Sequence, residues 1–434
     1  MEHSPDAIPT LVNNLADALL RMGTIRSPAV EAAFWNVPRH LFLPDTPLEQ
    51  TYSDNAVTTK RTSDGQPLSS STQPSIMAGM LEQLQIEPGH RVLEIGAGTG
   101  YNAALMAHIA GPAGQVVTLD VDDDIVADAR RHLTDAGYSA VQVMRRDGTL
   151  GYPDAAPYDR IILTVGAHDI APAWREQLAP GGRIVLPLVL RSRQRSIAFD
   201  YLDGVLTSSS IRSGIVFIPL RDTGGASSNI VLVTDDDSIF VEIADADRID
   251  TQEMAKVLTR PAVDVPAGIP AATREELMGL AVWLELQDPE FCNFYGRDLP
   301  PGDDRLPELI EEEGFRSTFG LYNGGSLALL RRLPEEVVQE EAGEPSYRLG
   351  IRSLGPNQTL GERLLALVGA WERAGRPGED DLHISAYPSE AARSEIGSDR
   401  AVELLKRWTR LKCAWHVEPT NTCANNAGTR PDRT

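Results

Sequence analysis

Cysteine is scarce: Cys292, Cys413 and Cys423 are the only three in 434 residues. Their odd number and wide separation exclude a disulfide framework and offer no metal-ligand spacing, so no metal site and a reducing compartment are expected. Long apolar runs are missing too. No segment is long and apolar enough to span a bilayer, and the start, MEHSPDAIPT, has neither the basic opening nor the apolar stretch of a secretory leader. A cytoplasmic location and no membrane partner are the expectations. Basic residues are outnumbered, with 40 Lys and Arg against 62 Asp and Glu and a formal charge of -22. A nucleic-acid partner calls for a basic surface that displaces counterions from phosphates, so none is expected. One local exception is LRSRQRS, where Arg191, Arg193 and Arg195 alternate and would share one face of a strand. Such a row is either a solvated strand edge or a patch that draws an acidic substrate.

What is present is a chain with 42% hydrophobic and 24% charged residues, as in folded proteins, and long enough for two or three domains. Leu11, Leu15, Leu19 and Met22 recur at three- and four-residue spacing and predict one apolar face of a helix. Ser27 followed by Pro28 predicts the capped start of a second helix. From residue 90, short apolar runs alternate with helical stretches: HRVLEIGAG, YNAALMAHIAG, QVVTLDVD, DIVADARRHLTDAG, VQVMRRDG, YDRIILTVGA, APAWREQLAPGG and RIVLPLV. Strands without polar alternation, separated by helices, imply a parallel sheet covered on both faces, a doubly wound α/β domain. RSIAFDYLDG and SSSIRSGIVFIPL add two strands, and RDTGGASSN reads as a linker. Beyond it the alternation is lost. REELMGLAVWLELQ and TLGERLLALVGAWERAG read as helices among segregated strands, the last being LHISAYP, which predicts an α+β unit. The expected division is a first domain at 1–222, a second at 226–412 and a polar tail at 413–434.

The segment VLEIGAGTGYNAA reads as strand, glycine turn and helix start, with Gly96, Gly98 and Gly100 letting backbone approach a ligand. It departs from the dinucleotide pattern G-x-G-x-x-G because its third glycine comes one residue early. Asp120 ends the next strand, where a carboxylate can accept both hydroxyl protons of a ribose. Asp147, with Gly148 beside it, follows the third strand within reach of an adenine edge. Glu94 ends the first strand and can face a cationic part of the ligand. A carboxylate-lined pocket suits a nucleoside bearing positive charge, and S-adenosylmethionine fits better than NAD.

At this point the sequence resembles the protein-L-isoaspartate O-methyltransferases. The matching pieces are PRHLFLP (38–44), TYSDNA (51–56), STQPSIMAGMLEQL (71–84), PGHRVLEIGAGTGYNAALMA (88–107), RDG (146–148), YDRIILTVGA (158–167), QLAPGGRIVLPL (177–188) and VFIPL (216–220). The resemblance implies a Rossmann-like methyltransferase fold and S-adenosyl-L-methionine as methyl donor, giving S-adenosyl-L-homocysteine. It implies a peptide or protein partner bearing an Asp or isoAsp carboxylate. The family carries serine at the position of Thr72, between cofactor and substrate, which makes Thr72 and its neighbour Ser71 the candidate catalytic residues. Tyr52, Asp54, Gln73 and Thr164 fall in matching pieces as candidate substrate residues. Two departures stand out: threonine replaces serine at position 72, and the segment from Asp54 to Thr72 is longer, with Lys60 and Arg61 in the extra length. Ser69 and Ser70 are expected in a solvated loop.

No catalytic His or Cys is required. A carboxylate with an ordinary pKa of about 3.9 is already a nucleophile at neutral pH, so the task is to place it in line with the methyl group. His40 and His168 are assigned packing or loop roles. The plan of an isoaspartyl-type half followed by a long C-terminal half resembles homologues that tailor ribosomally made lasso peptides, graspetides and lanthipeptides by methylating an Asp that then cyclises to aspartimide. Under that reading Tyr295, in DPEFCNFYGRD, and Trp415, in RWTRLKCAWHVEP, are either peptide anchors or core aromatics. Two other readings stay open: a repair methyltransferase with an accessory domain, and a peptide-binding module that holds cofactor without turnover.

Overall fold

The apolar runs that begin near residue 90 become parallel strands in the computed structural model, which describes residues 7–63, 65–221, 229–244, 246–300, 302–312, 314–333, 338–339, 345–391 and 401–415. Arg91–Ile95 lies at the centre of this set. Gln115–Asp120 and then Gln142–Arg145 flank it on one side, Tyr158–Leu163 and then Leu178–Val189 on the other. Chain order therefore reverses at Arg91–Ile95, and such a reversal leaves a crevice beyond the carboxyl ends of the strands. The absence of polar alternation has the expected cause. Val92 and Val116 point into one apolar cluster with Leu19, Phe34, Leu81 and Leu105 of the helices, while Leu93 and Val117 point into another with Trp174.

Local signals at the start of the chain act as read, with one exception. Ser27 Oγ accepts from the Val30 amide at 3.4 Å, and Pro28 opens the helix Pro28–Asn36. Leu15 and Leu19 are buried on the helix Ala7–Arg21, but Met22 lies past its end and is exposed. The serine run corrects its expectation as well. Val57–Arg61 and Pro67–Ser71 pair as an antiparallel hairpin, so Ser69 and Ser70 sit on a strand, and Ser69 is buried beside Thr59. Ladder hydrogen bonds give the polar side chains an ordered backbone that composition alone does not signal.

The two further strands expected are present as Gln194–Leu202 and Val205–Arg212, both antiparallel, but the second ends at Arg212, and IVFIPL, expected within it, forms no regular strand. The strands that follow are unexpected. Leu382–Pro388 pairs with Val205–Arg212, and Thr409–Trp415 and Val402–Leu405 complete a ten-stranded sheet. LHISAYP thus belongs to the first sheet although 226–412 was expected as a separate unit, and residues 413–415 are strand where a tail was expected. Alternation fixes which face of a strand is buried, not which sheet it joins. Residues 222–228, most of the expected linker, lie outside the described residues, as do 416–434 and with them Cys423.

Between Arg212 and Leu382 the chain builds an eight-stranded antiparallel sheet. The helices Arg274–Gln287 and Thr359–Arg373 share one core with it through Leu280, Phe319 and Trp371. Thr273 and Glu276 form a reciprocal capping box at the start of Arg274–Gln287. The same helix sends Val282 and Leu286 into the cluster of Leu186, Leu188 and Ile197, so it is wedged between the two sheets. Among the described residues no helix is long and apolar enough to cross a membrane.

The arginine row is neither a solvated edge nor a substrate patch. Arg195 is fully buried, with Nη1 2.6 Å from Glu285 Oε2 and Nε 3.5 Å from Glu379 Oε1. Arg193 pairs with Glu242 at 3.2 Å, and Arg191 Nη2 donates to the Leu286 carbonyl at 3.2 Å. Every one of these partners lies far along the chain, and buried arginine persists only beside such partners. Of the two readings of the aromatics, packing is the one observed. Tyr295 stacks on Phe240 at 5.0 Å and its hydroxyl donates to Glu242 at 3.0 Å, while Trp415 packs on Trp283 at 5.6 Å.

Candidate active site

A cavity of about 380 Å³ opens beyond the carboxyl ends of Arg91–Ile95 and Gln115–Asp120, where chain order reverses. Its volume is in the range of small-ligand sites. Three stretches wall it: the glycine turn after Arg91–Ile95, the hairpin strand that runs into Thr72, and residues 214–221.

The glycine turn is shaped by contact as much as by conformation. Gly96 has φ +104°, and a Cβ there would come within 2.7 Å of Thr164 Oγ1, which donates to the Gly96 carbonyl at 2.6 Å. Both conditions require glycine. Gly98 also lines the cavity, and its amide donates to Asp120 Oδ2 at 3.2 Å. Gly100 does not line it; this residue caps Tyr101–Ala110 and packs against Ala129 and Leu133.

The three acids differ. Glu94 lines the cavity yet is fully buried, accepting from Asn102 Nδ2 at 2.7 Å and Thr118 Oγ1 at 2.6 Å. Burial pushes its carboxyl up to about 7, against the pull of the two donors. Asp120 lines the cavity as well. It accepts from the amides of Gly98, Val121 and Asp122, and burial raises its pKa while those amides oppose the rise. Asp147 is placed otherwise. It is outside the cavity lining, and its Oδ1 accepts from the Thr149 amide at 2.9 Å and hydroxyl at 2.8 Å, capping the turn Gly148–Leu150. Short acids after strands serve as turn caps for the same reason that they serve ligands, because they accept from nearby N–H groups. Gly148 does line the cavity, and Trp174 Nε1 donates to its carbonyl at 2.8 Å.

The hydroxyl row meets the cavity at Ser69, Ser70, Ser71 and Thr72. Ser71 is 3% exposed, and its Oγ has no hydrogen-bond partner among the described residues. The Thr72 carbonyl accepts from Arg39 Nη2 at 3.1 Å. Gln73 lines the cavity and donates from Nε2 to Asp54 Oδ2 at 3.1 Å. Asp54 lies outside the lining; its other oxygen accepts from the Ser75 amide at 2.8 Å and so holds the start of the helix Pro74–Leu84. Tyr52 lies outside it too, buried with its hydroxyl 2.7 Å from His40 Nδ1. Thr164 lines the cavity, but its hydroxyl is engaged by the carbonyls of Gly96 and Ile95.

Several contributors were not singled out in the sequence. Asn102 and Thr118 hold Glu94, and Arg39 holds Thr72. Arg39 stood in the quoted PRHLFLP without a role. Residues 214–221 form one wall, ending at Arg221, whose Nη2 lies 2.7 Å from Asp122 Oδ2. Lys60, on the hairpin strand paired with Pro67–Ser71, reaches Asp124 Oδ2 with Nζ at 2.6 Å, so the hairpin and residue 221 are both tied to the start of the helix Asp123–Asp135.

Residues 10–225 match the family described as protein-L-isoaspartate(D-aspartate) O-methyltransferase. A protein-L-isoaspartate O-methyltransferase of Methanopyrus kandleri is 39% identical over 207 residues, 48% of this chain and 89% of that protein. One from Hyperthermus butylicus is 39% identical over 215 residues, 48% of this chain and 86% of that protein. A solved protein-L-isoaspartate O-methyltransferase structure is 24% identical with a TM-score of 0.47, covering 86% of this chain and 96% of its own.

Proposed function

The chain belongs to the protein-L-isoaspartate O-methyltransferase family, and from that premise we propose that it is an S-adenosylmethionine-dependent carboxyl methyltransferase acting on an Asp or isoAsp of a peptide or protein. The observation that carries this reading is the buried Ser71 hydroxyl, without a hydrogen-bond partner among the described residues, in a cavity that also holds Glu94 and Asp120. A buried hydroxyl left without a partner is costly, so a ligand that supplies one is favoured there. The acids at the turn suit a ligand with cationic groups, and the cavity volume suits a nucleoside.

When bound, the cofactor supplies an electrophilic methyl group on a sulfonium. The chain's own part is to bind and orient. Asp120 is assigned to the ribose hydroxyls; an ionised carboxylate has about four acceptor sites, and amides take three. Glu94 is assigned to the cationic end. Thr72 and Ser71 are assigned to the acceptor carboxylate, donating hydrogen bonds that hold it in line without protonating it. No side chain has to remove a proton, because the acceptor is already ionised at neutral pH. Asp147, Tyr52 and Asp54 are left as supports of the site.

Within this class we assign the acceptor to an Asp in a constrained, ribosomally made peptide, whose methyl ester is attacked by the following backbone nitrogen and closes to aspartimide with loss of methanol, a net loss of water from the starting peptide. The hairpin that supplies residues 69–71 to the cavity, tied by Lys60 to Asp124, supports the finer reading because an ordered wall suits selection of one defined acceptor, whereas repair of random damage calls for loose selection. Intact-mass spectrometry decides between the acceptors. A gain of one methyl followed by net loss of water on a constrained peptide, with no turnover of short isoaspartyl peptides, is the expected result. Turnover of the short peptides overturns the finer reading in favour of repair, and no methyl ester on any acceptor overturns the enzyme reading.

A further inference from the structure

We infer that Glu285 is a positioning residue for the site: through the turn at Arg191–Arg193 and the side chain of Gln194, it fixes the cavity wall to which Phe217 belongs. The inference rests on the reading of this cavity as the place of methyl transfer.

Glu285 stands on the helix wedged between the sheets and is fully buried. Its Oε1 accepts from the amides of Ser192 at 2.9 Å, Arg193 at 3.0 Å and Arg191 at 3.3 Å, and from Ser192 Oγ at 3.2 Å. Its Oε2 lies 2.6 Å from Arg195 Nη1. Burial acts to raise its pKa, but Arg195 and the amides outweigh burial and hold the carboxyl below its usual range. One anion thus organises the whole connection between the strands Leu178–Val189 and Gln194–Leu202.

Gln194 is the next residue. Its Nε2 donates to the Phe217 carbonyl at 2.9 Å and its Oε1 accepts from the Phe217 amide at 2.8 Å. The amide is held closely, since a Cβ on Gly166 would come within 2.5 Å of Gln194 Nε2. Gly166 in turn exchanges backbone bonds with Ile218 at 2.9 Å and Leu220 at 2.8 Å. Residues 214–221 belong to no helix or regular strand, so these bonds decide where the wall stands. A second tie enters at Ser213, whose hydroxyl donates to Glu379, the residue that also faces Arg195.

The second half of the chain is therefore part of the site's support even for an acceptor too short to touch it. A module that only recognises peptide predicts the opposite. The test is amide hydrogen exchange by mass spectrometry, together with calorimetric binding of S-adenosylhomocysteine, on full-length Glu285→Gln and Gln194→Ala. We expect exchange across 213–221 to accelerate by roughly tenfold or more in both variants, exchange across Arg91–Ile95 to stay as in wild type, and affinity for S-adenosylhomocysteine to fall by roughly tenfold, because residues of this stretch line the cavity. Gln194→Ala leaves every ion pair of the interface in place and decides the matter if Glu285→Gln does not fold. Exchange across 213–221 and affinity for S-adenosylhomocysteine both within twofold of wild type in Gln194→Ala overturn the inference. If wild type neither binds S-adenosylhomocysteine nor methylates, the methyl-transfer reading fails, and exchange across 213–221 still decides this one.

Discussion

Arg39 is completely buried and donates from Nη2 to the main-chain carbonyl of Thr72 at 3.1 Å. Its Nε and Nη1 have no hydrogen-bond partner among the described residues, and its guanidinium lies 5.2 Å from the Tyr101 ring centre. An arginine kept in so costly a place holds the backbone at the residue assigned to the acceptor carboxylate. Arg39→Met should lower kcat/KM for the peptide by roughly tenfold, since small misplacements at a reacting centre are expensive. Affinity for S-adenosylhomocysteine should stay within about twofold if the loss is confined to the acceptor side. Steady-state kinetics beside calorimetry checks this, and an equal loss in both assigns Arg39 to general stability.

Ser71→Ala removes a buried hydroxyl that has no hydrogen-bond partner among the described residues. Deleting an unsatisfied buried group is neutral or stabilising, whereas a hydrogen bond to a ligand is worth about 0.5–1.5 kcal/mol. The melting temperature should hold or rise while S-adenosylhomocysteine binding or the peptide KM worsens by about two- to tenfold. A variant with unchanged binding and kinetics removes Ser71 from the site.

Glu94 gives the folded protein a pH signature. The unfolded chain loses this proton near 4.5, the folded chain near 7. Between those values the folded state binds more protons than the unfolded state, so stability falls as pH rises through that window and levels off above it. The size of the fall is roughly 3 kcal/mol. Glu94→Gln lacks this titration, and the difference between the two proteins isolates it. Urea unfolding at pH 5 and pH 8 should show wild type losing more stability than the variant; equal losses refute the assignment.

Asp120→Ala should abolish measurable cofactor binding, because it removes the carboxylate assigned to the ribose and leaves the Gly98 amide without its acceptor. Calorimetry with S-adenosylhomocysteine checks it, and unchanged affinity refutes the ribose assignment.

Thr72→Val keeps the shape of the side chain and deletes its hydroxyl. Turnover should fall by roughly ten- to a hundredfold with cofactor affinity unchanged, the pattern of a hydrogen bond that matters to the acceptor alone. Wild-type rates in this variant remove Thr72 from the site.

The parallel strands and helices between residues 90 and 189 were legible because their signals are local. Apolar runs, a glycine turn and strand-end acids lie within a few residues of one another, and the helix Arg274–Gln287 was legible from its own pattern. What escaped depends on distance along the chain. LHISAYP reads as a strand without saying that Val205–Arg212 is its neighbour, and nothing near LRSRQRS announces Glu285, Glu242 or Glu379. Asp147 was misplaced for a different reason, since a turn cap and a ligand-binding acid present the same residue type at the same spot. Arg39 was in view, but a buried cation shows its purpose only when the carbonyl it holds is known.

The return of Leu382–Pro388 and Thr409–Trp415 to the first sheet has a consequence for how the chain is made. A ribosome adding about 5–20 residues per second leaves roughly 10 to 30 s between the emergence of Arg212 and that of Leu382. For that interval Val205–Arg212 has an edge able to pair with the wrong strand, and Leu382–Pro388 covers it only after emerging. Termination before Leu382 would thus leave that edge without its partner strand.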